Sequence, residues 1–230
     1  MIKEIIVNLL VAFITFIGAA IFHNRLRMKI YMQSLFRWKK DIRLSCAYLF
    51  QIKQNNKYLL IKGSKINQYQ PVGGVYKYYE SFNESKSILE LKDEEEENFY
   101  EEKDLRLITK GRYIIGFLDW FDSKKNREII VVRELIEELQ PAGVSIEQLI
   151  KNVKIEYLRT VKKGIRYSTH FKIDELQIFN IYAVKIPTEL LDRIVNSERC
   201  CLVEAKEIER QCCTKDGLSE KISETSIYII

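Results

Sequence analysis

The chain has 230 residues, of which 47% are apolar and 30% are charged, and its formal net charge is +5. This balance is that of an ordinary globular protein and excludes a chain that is disordered throughout. The length suits one substantial folded domain with an appendage.

The first apolar segment is "IIVNLLVAFITFIGAAIF", residues 5–22, which carries no charge. Such a run is just long enough to span a bilayer. The alternative interpretation of this run is a cleaved signal peptide, with "GAA" at residues 18–20 as the cleavage site. Basic residues follow the run, and positive flanks stay in the cytoplasm. We therefore expect residues 1–22 to be a single-pass helix in the cell membrane, with a cytoplasmic C-terminal domain.

Residues 23–43 form a basic juxtamembrane segment. They contain seven Lys or Arg against Asp41 alone, and the aromatic residues Phe36 and Trp38 lie among these charges. Polybasic segments beside a membrane gain free energy from anionic lipid. The pattern predicts a helix that leaves the membrane along its charged inner surface.

The folded domain is predicted to span residues 44–230. It begins with "LSCAYLFQI" and "KYLLIKG", two β-type runs that "KQNN" joins as a hairpin. Residues 80–104 then hold eleven acids against three Lys, a net charge of −8. So many like charges predict a solvated or partly disordered insertion. Strand-like and helix-like stretches alternate irregularly after it, which predicts an α+β fold.

All five cysteines follow the predicted anchor. In a reducing cytoplasm we expect no disulfides among them. The adjacent pairs at residues 200–201 and 212–213 lack the gap that lets two thiolates reach one zinc ion. Most of these cysteines are predicted to be small buried apolar residues.

A helix is predicted to start at Ser123 and to end at Pro141 and Gly143. At about 100° per residue, one arc of this helix is apolar. The arc consists of Ile129, Val131, Val132, Leu135, Ile136 and Leu139. The opposite side presents Glu134, Glu137 and Glu138, so one face is expected to pack while the other carries three carboxylates.

Two segments resemble the halves of a Nudix box. The first is "PVGGVYKYYE", which includes Gly74 and Glu80, and the second is "RELIEE", residues 133–138. The box is split, because 52 residues, 81–132, separate the halves where the box allows far fewer. Its final glycine and aliphatic residue are absent, since Gln140 and Pro141 stand in their places.

The split box has a chemical interpretation of its own. Glutamates at i, i+3 and i+4 supply hard oxygen ligands for Mg²⁺ beside a diphosphate. Those ligands would be Glu134, Glu137 and Glu138, with Glu80 as a further candidate, and Arg133 would brace one of them. The glycine pair lets backbone approach a ligand closely. Mg²⁺ is needed only if the domain is a hydrolase.

The order of membrane helix, "QPVGGVYKYY", long insertion, "FLDWFDSKKNRE" and "RELIEEL" resembles the membrane-anchored Nudix-domain effectors of CBASS antiphage systems, the CD-NTase-associated or SMODS-associated Nudix family. In these systems a nucleotidyltransferase (CD-NTase) makes a cyclic oligonucleotide messenger. The resemblance implies a Nudix-like domain at residues 44–230 with an insertion at about 81–132. It also implies that this domain senses the messenger, that the membrane segment kills the cell or arrests its growth, and that the CD-NTase is a functional partner without necessary contact.

Two functions from different classes remain open. The first is a sensor that binds a cyclic oligonucleotide without a catalytic residue or cofactor. The second is a membrane-tethered Mg²⁺-dependent hydrolase of a nucleoside diphosphate derivative. The split disfavours the second, because a catalytic metal site must hold its ligands within about half an ångström. A nucleic-acid binder is a third interpretation, but lipid explains the basic excess near the membrane.

A messenger of this kind needs aromatic rings for its bases and cations for its phosphodiesters. Two stretches, "RLITKGRYIIGFLDWF" and "KKGIRYSTHFK", are dense in such residues. The candidate ligand-binding residues are Arg106, Arg112, Tyr113, Trp120, Arg166, Tyr167, His170 and Phe171. A lone membrane helix cannot line a pore, so we also expect the protein to form homo-oligomers on activation.

Overall fold

The computed structural model describes residues 9–12, 15–16, 24–63, 66–94, 102–140, 147 and 151–230. Most of the predicted anchor and the acidic run at 95–101 lie outside these residues. Within the described ranges, no helix is long and apolar enough to cross a membrane. The domain is a mixture of helices and strands, which confirms the predicted α+β class.

The strands are β1 (Asp41–Gln54), β2 (Lys57–Lys62), β3 (Tyr69–Pro71), β4 (Gly73–Val75), β5 (Lys92–Asp93), β6 (Arg106–Lys110), β7 (Lys154–Lys162), β8 (Arg166–Ser168), β9 (Ile173–Lys185), β10 (Cys200–Val203), β11 (Cys212–Lys215) and β12 (Leu218–Lys221). The helices are α1 (Arg25–Leu35), α2 (Asn83–Ile88), α3 (Ile114–Ser123), α4 (Val132–Leu139), α5 (Thr188–Val195) and α6 (Ala205–Glu209). Short 3₁₀ turns span Glu80–Phe82, Gly111–Tyr113 and Glu224–Ile229.

Strand β1 is the centre of the main sheet. It pairs in parallel with β9 from Ile42↔Asp174 to Ile52↔Val184 and in antiparallel with β2, β4 and β6. Strands β7 and β8 extend the sheet beyond β9, while β11 and β12 form a separate hairpin. Because β1 has neighbours on both sides and is covered on both faces, its sequence is a nearly continuous apolar run.

The predicted hairpin between β1 and β2 is confirmed. The strands pair as Gln54↔Lys57, which leaves a two-residue loop. Asn55 and Asn56 both have positive φ, 48° and 63°. Paired positive φ values define the turn that matches strand twist, and asparagine tolerates them. Strand β1 begins at Asp41, three residues before the predicted start of the domain, so residues 41–43 belong to the sheet.

The helix predicted from Ser123 begins only at Val132. Helix α3 ends at Ser123, and the next residues turn, with φ of 59° at Lys124 and 61° at Asn126. Arg127 then pairs with Tyr78 as an isolated β-bridge, and its side chain is buried. The prediction of one long helix was wrong because left-handed residues and a bridge to the sheet interrupt the apolar periodicity.

Helix α1 packs against the domain through one face. Ile30 is fully buried there. The Gln33 amide donates to the carbonyl of Ile165 (3.2 Å) and accepts from its backbone N–H (2.9 Å). After the helix, the Arg37 guanidinium lies 3.0 Å from the Asp174 carboxylate. The basic segment was predicted to lie along the membrane, and the structure adds that it is also docked on β9 and on the loop after β7.

Four of the cysteines, Cys46, Cys200, Cys201 and Cys213, are buried, as predicted for small apolar residues. Cys212 is exposed. Burial raises the pKa of the Cys200 thiol to about 11. A thiol with such a pKa is protonated at neutral pH and therefore unreactive.

Candidate functional site

The two halves of the split box meet in space. Gly74 lies in β4 opposite Tyr48 of β1, and the Glu134 side chain of α4 lies against it. A Cβ atom added to Gly74 would fall 2.2 Å from Glu134 Cδ, so a larger residue there would displace the Glu134 side chain. One added to the neighbouring Gly73 would fall 2.2 Å from the Tyr48 carbonyl oxygen. The glycine pair therefore permits close packing of the chain on itself. The sequence analysis assigned the pair a different role, the close approach of backbone to a ligand.

Arg133 is the centre of the carboxylate cluster on α4. Its guanidinium lies 2.7 Å from Glu134, 3.1 Å from Glu137 and 3.2 Å from Glu128. Partial burial lowers the pKa of Arg133, but the hydrogen bond that Arg133 donates to Glu128 and the charges of Glu134 and Glu128 outweigh this effect and raise it. One arginine thus neutralises several carboxylates that the hydrolase hypothesis assigns to Mg²⁺.

The remaining box carboxylates also have cationic partners. Glu138 lies 3.6 Å from Arg199, and burial raises the pKa of its carboxyl. Glu80 is 77% exposed and lies 2.6 Å from Lys103, which lowers its pKa. Within the described parts of the chain, no three His, Cys, Asp or Glu residues converge as a metal-binding group. As placed, this donor set does not fit Mg²⁺.

A cleft of about 490 Å³ lies elsewhere, beside β8 and the C-terminal end of β12. This size is typical of small-molecule sites. Four predicted ligand-binding residues line it together: Arg166, Tyr167, His170 and Phe171. The Tyr167 side chain is 63% exposed, and its ring is therefore available for stacking.

The cleft is held in shape by a buried charged group beneath it. The Arg43 guanidinium lies 3.7 Å from the centre of the Phe171 ring, a cation–π arrangement. The same guanidinium binds Glu175, which lines the cleft, and Glu94, which lies 2.6 Å away. Gln177 also donates to Glu175 (3.0 Å). Arg43 therefore fixes both an aromatic wall and an acidic wall.

The charge of the cleft is positive. Lys163, Arg166 and Lys221 line it, against Glu224 and the Arg43-paired Glu175. Burial, aided by the charge of Arg166, lowers the pKa of Lys163. In the part of the chain that the structure describes, no hydrogen bond or ion pair engages the Arg166 side chain. An anion with an aromatic or planar group is therefore the class of ligand that the cleft suits best.

The other four predicted ligand-binding residues lie outside the cleft. Arg112 pairs with both oxygens of Glu90 (2.9 Å), and the Tyr113 hydroxyl donates to the same carboxylate. Arg106 lies 3.7 Å from Asp104. Trp120 is buried in the core, stacked on Phe82 with ring centroids 3.7 Å apart.

Two physical features place these four residues away from this cleft. The acids that follow Glu80 in sequence turn back to neutralise the arginines of β6 and the next turn. The apolar face of α3 draws Trp120 inward. The sequence reasoning missed Lys163, Gln177, Lys221 and Ser223 in the cleft. Lys163 could have been predicted from the sequence, because it belongs to the basic aromatic stretch "KKGIRYSTHFK". No local sequence pattern marks the C-terminal residues Lys221 and Ser223, because only tertiary folding brings them to the cleft.

The mixed sheet and the rejoined box define a Nudix domain. A scan against protein-family models matches residues 41–230 to the SMODS-associated NUDIX domain, and the chain belongs to that family. The match supports a Nudix effector of CBASS-like antiphage systems. A comparison with curated proteins gave no significant match.

Proposed function

We propose that the domain senses a cyclic oligonucleotide second messenger in the cleft beside β8 and does not cleave it. The observation that carries the proposal is the gathering of Arg166, Tyr167, His170 and Phe171 around one cleft with excess positive charge. Cations there bind phosphodiester groups and exposed rings stack on bases. The family supports this proposal, since its members accompany systems that make such messengers.

Signal output in this proposal runs through the N-terminal segment. Residues 5–22 anchor the protein in the inner membrane, and messenger binding drives oligomerisation of the cytoplasmic domains. Clustered anchors then disrupt the membrane, which leads to cell death or growth arrest. The Gln33–Ile165 contact supports the link, because Ile165 lies between the cleft residues Gly164 and Arg166. Through this contact, a movement of that loop also displaces α1.

The second candidate is a Mg²⁺-dependent Nudix hydrolase. The packing of Glu134 on Gly74 favours it, because the box is reassembled despite the insertion. The pairing of Glu134 and Glu137 with Arg133, and of Glu138 with Arg199, favours the sensor. A hydrolase would have to free these carboxylates from arginine before they could bind a metal.

One experiment separates the two candidates. The full chain in detergent is mixed with a panel of cyclic di- and trinucleotides, and thermal stability is measured alongside the integrity of each ligand. A ligand at about 100 times its Kd stabilises the protein by about 2.7 kcal/mol. Stabilisation with intact ligand supports the sensor, whereas turnover of a ligand supports the hydrolase. The full chain is used because residues 24–43 pack on the domain.

The double variant Glu134→Gln with Glu138→Gln is expected to keep messenger affinity and toxicity within about twofold of the native protein. Neither residue lines the cleft, and a sensor needs no metal-activated water. Titration calorimetry gives the affinity, and growth after induction gives the toxicity. Loss of toxicity at unchanged protein level and membrane insertion would favour the hydrolase.

A further inference from the structure

The outer face of α1 and the turn that follows it form an exposed apolar stripe. Its members are Met28, Tyr31, Met32, Leu35, Phe36 and Trp38, which are 37–80% exposed. Phe36 is the extreme case, at 80%. The first five recur at helical spacing within an arc of about 140°, so they form one continuous surface. A contiguous exposed apolar surface of this kind marks an interaction site.

The stripe faces away from the domain because the opposite side of α1 is already in use. Ile30, which is fully buried, lies roughly 180° around the helix from the centre of the stripe. Gln33 and Arg37 lie on the docked side as well and hold Ile165 and Asp174. The fold therefore covers one side of the helix and leaves the apolar stripe on the other side exposed.

The basic charge around the exposed stripe indicates which partner covers it. Residues 23–40 contain six Lys or Arg and no Asp or Glu. Lys29, Lys39 and Lys40 are exposed. A second copy of the chain packed face to face would bring two such basic rims together, which costs free energy. An anionic lipid surface complements the rim, and Trp, Tyr and Phe are the side chains that enter membrane interfaces.

We propose that this stripe inserts into the interface of an anionic membrane, as a second contact beyond the anchor at residues 5–22. The proposal rests on the membrane location proposed above. Phe36 and Trp38 enter the boundary between headgroups and acyl chains, while Lys29, Lys39 and Lys40 meet the phosphates. Since Gln33 clamps α1 to the cleft loop, this contact fixes how the messenger cleft is oriented above the membrane.

Trp38 is a native reporter for this contact. The chain has two tryptophans, and the other, Trp120, is buried. The full chain and its Trp38→Phe variant are reconstituted in vesicles of equal parts phosphatidylglycerol and phosphatidylcholine whose acyl chains carry bromine, a contact quencher. The difference between their emission spectra isolates Trp38 without altering the core. Trp38→Phe combined with Leu218→Trp is the matched control, because Leu218 is 67% exposed and outside the stripe.

Strong quenching of Trp38, with little quenching of a tryptophan at position 218, is the expected result. Replacing Lys29, Lys39 and Lys40 by glutamine is expected to lower the equilibrium constant for insertion of the stripe by roughly fivefold per charge removed. Flotation of the protein with the vesicles without quenching of Trp38 overturns this proposal but remains consistent with the anchor at residues 5–22. Protein that does not float overturns both. Trp38 shielded from aqueous iodide, yet not quenched by brominated lipid, assigns the stripe to a second copy and also overturns the proposal.

Discussion

Replacing Arg43 with methionine is expected to lower the free energy of unfolding by about 3–5 kcal/mol, the usual loss when one partner of a buried ion pair is removed. Its side chain is 4% exposed, and its partners Glu175 and Glu94 are 8% and 11% exposed. Without the guanidinium, two carboxylates remain buried close together, and the Phe171 ring loses the group stacked on it. Methionine preserves much of the volume, so the loss reports charge and not a cavity.

Guanidinium chloride unfolding of the full chain in detergent measures this effect. Arg27→Met is the matched control, since Arg27 also pairs with one carboxylate, Asp119, but is 40% exposed. Exposed pairs contribute about 0–1 kcal/mol, so the control should differ little from the native protein. A loss below about 1 kcal/mol for Arg43→Met would show that the group beneath the cleft is not held as described.

Replacing Arg166 with alanine is expected to weaken messenger binding by roughly 10- to 100-fold, because a hydrogen bond to a charged group contributes about 1.5–3 kcal/mol. Arg166 lines the cleft, and its exposed side chain has no partner to lose within the described residues. Protein stability should therefore stay within about 0.5 kcal/mol of the native value, as is usual for surface substitutions.

The matched control is Arg112→Ala, which removes the same side chain from a position outside the cleft. Arg112 pairs with Glu90, so the control changes charge equally without touching the ligand. Titration calorimetry on both variants gives the affinities. Equal losses for Arg166→Ala and Arg112→Ala would attribute the effect to net charge and remove the cleft from consideration.

Local sequence signals predicted those features that depend on neighbouring residues. The asparagine pair gave the turn between β1 and β2, and "RELIEE" gave the amphipathic part of α4. The stretch "KKGIRYSTHFK" gave one wall of the cleft, because β8 and the turn after it keep those residues close together. Glu134 could be matched to Gly74 only because the box supplies a known spatial relationship across the insertion.

Features that depend on distant pairings were not predictable in the same way. Arg112 has the composition of a ligand contact, but Glu90 neutralises it only after the chain folds back. Lys221 and Gln177 reach the cleft from separate strands, without any local motif. The docking of α1 depends in part on the Gln33 amide, whose partner Ile165 is far along the chain. Residue type predicts chemistry in these cases, whereas the tertiary structure decides the partner.

Hydrogen–deuterium exchange on the full chain in detergent, with and without the messenger that gives the largest thermal shift, tests the central claim most directly. We expect slower exchange in residues 163–171, most of which line the cleft, with residues 132–139 of the Nudix helix unchanged and the ligand recovered intact. Ligand cleavage accompanied by protection confined to residues 132–139 would contradict it, and would place the binding site on the carboxylates of α4.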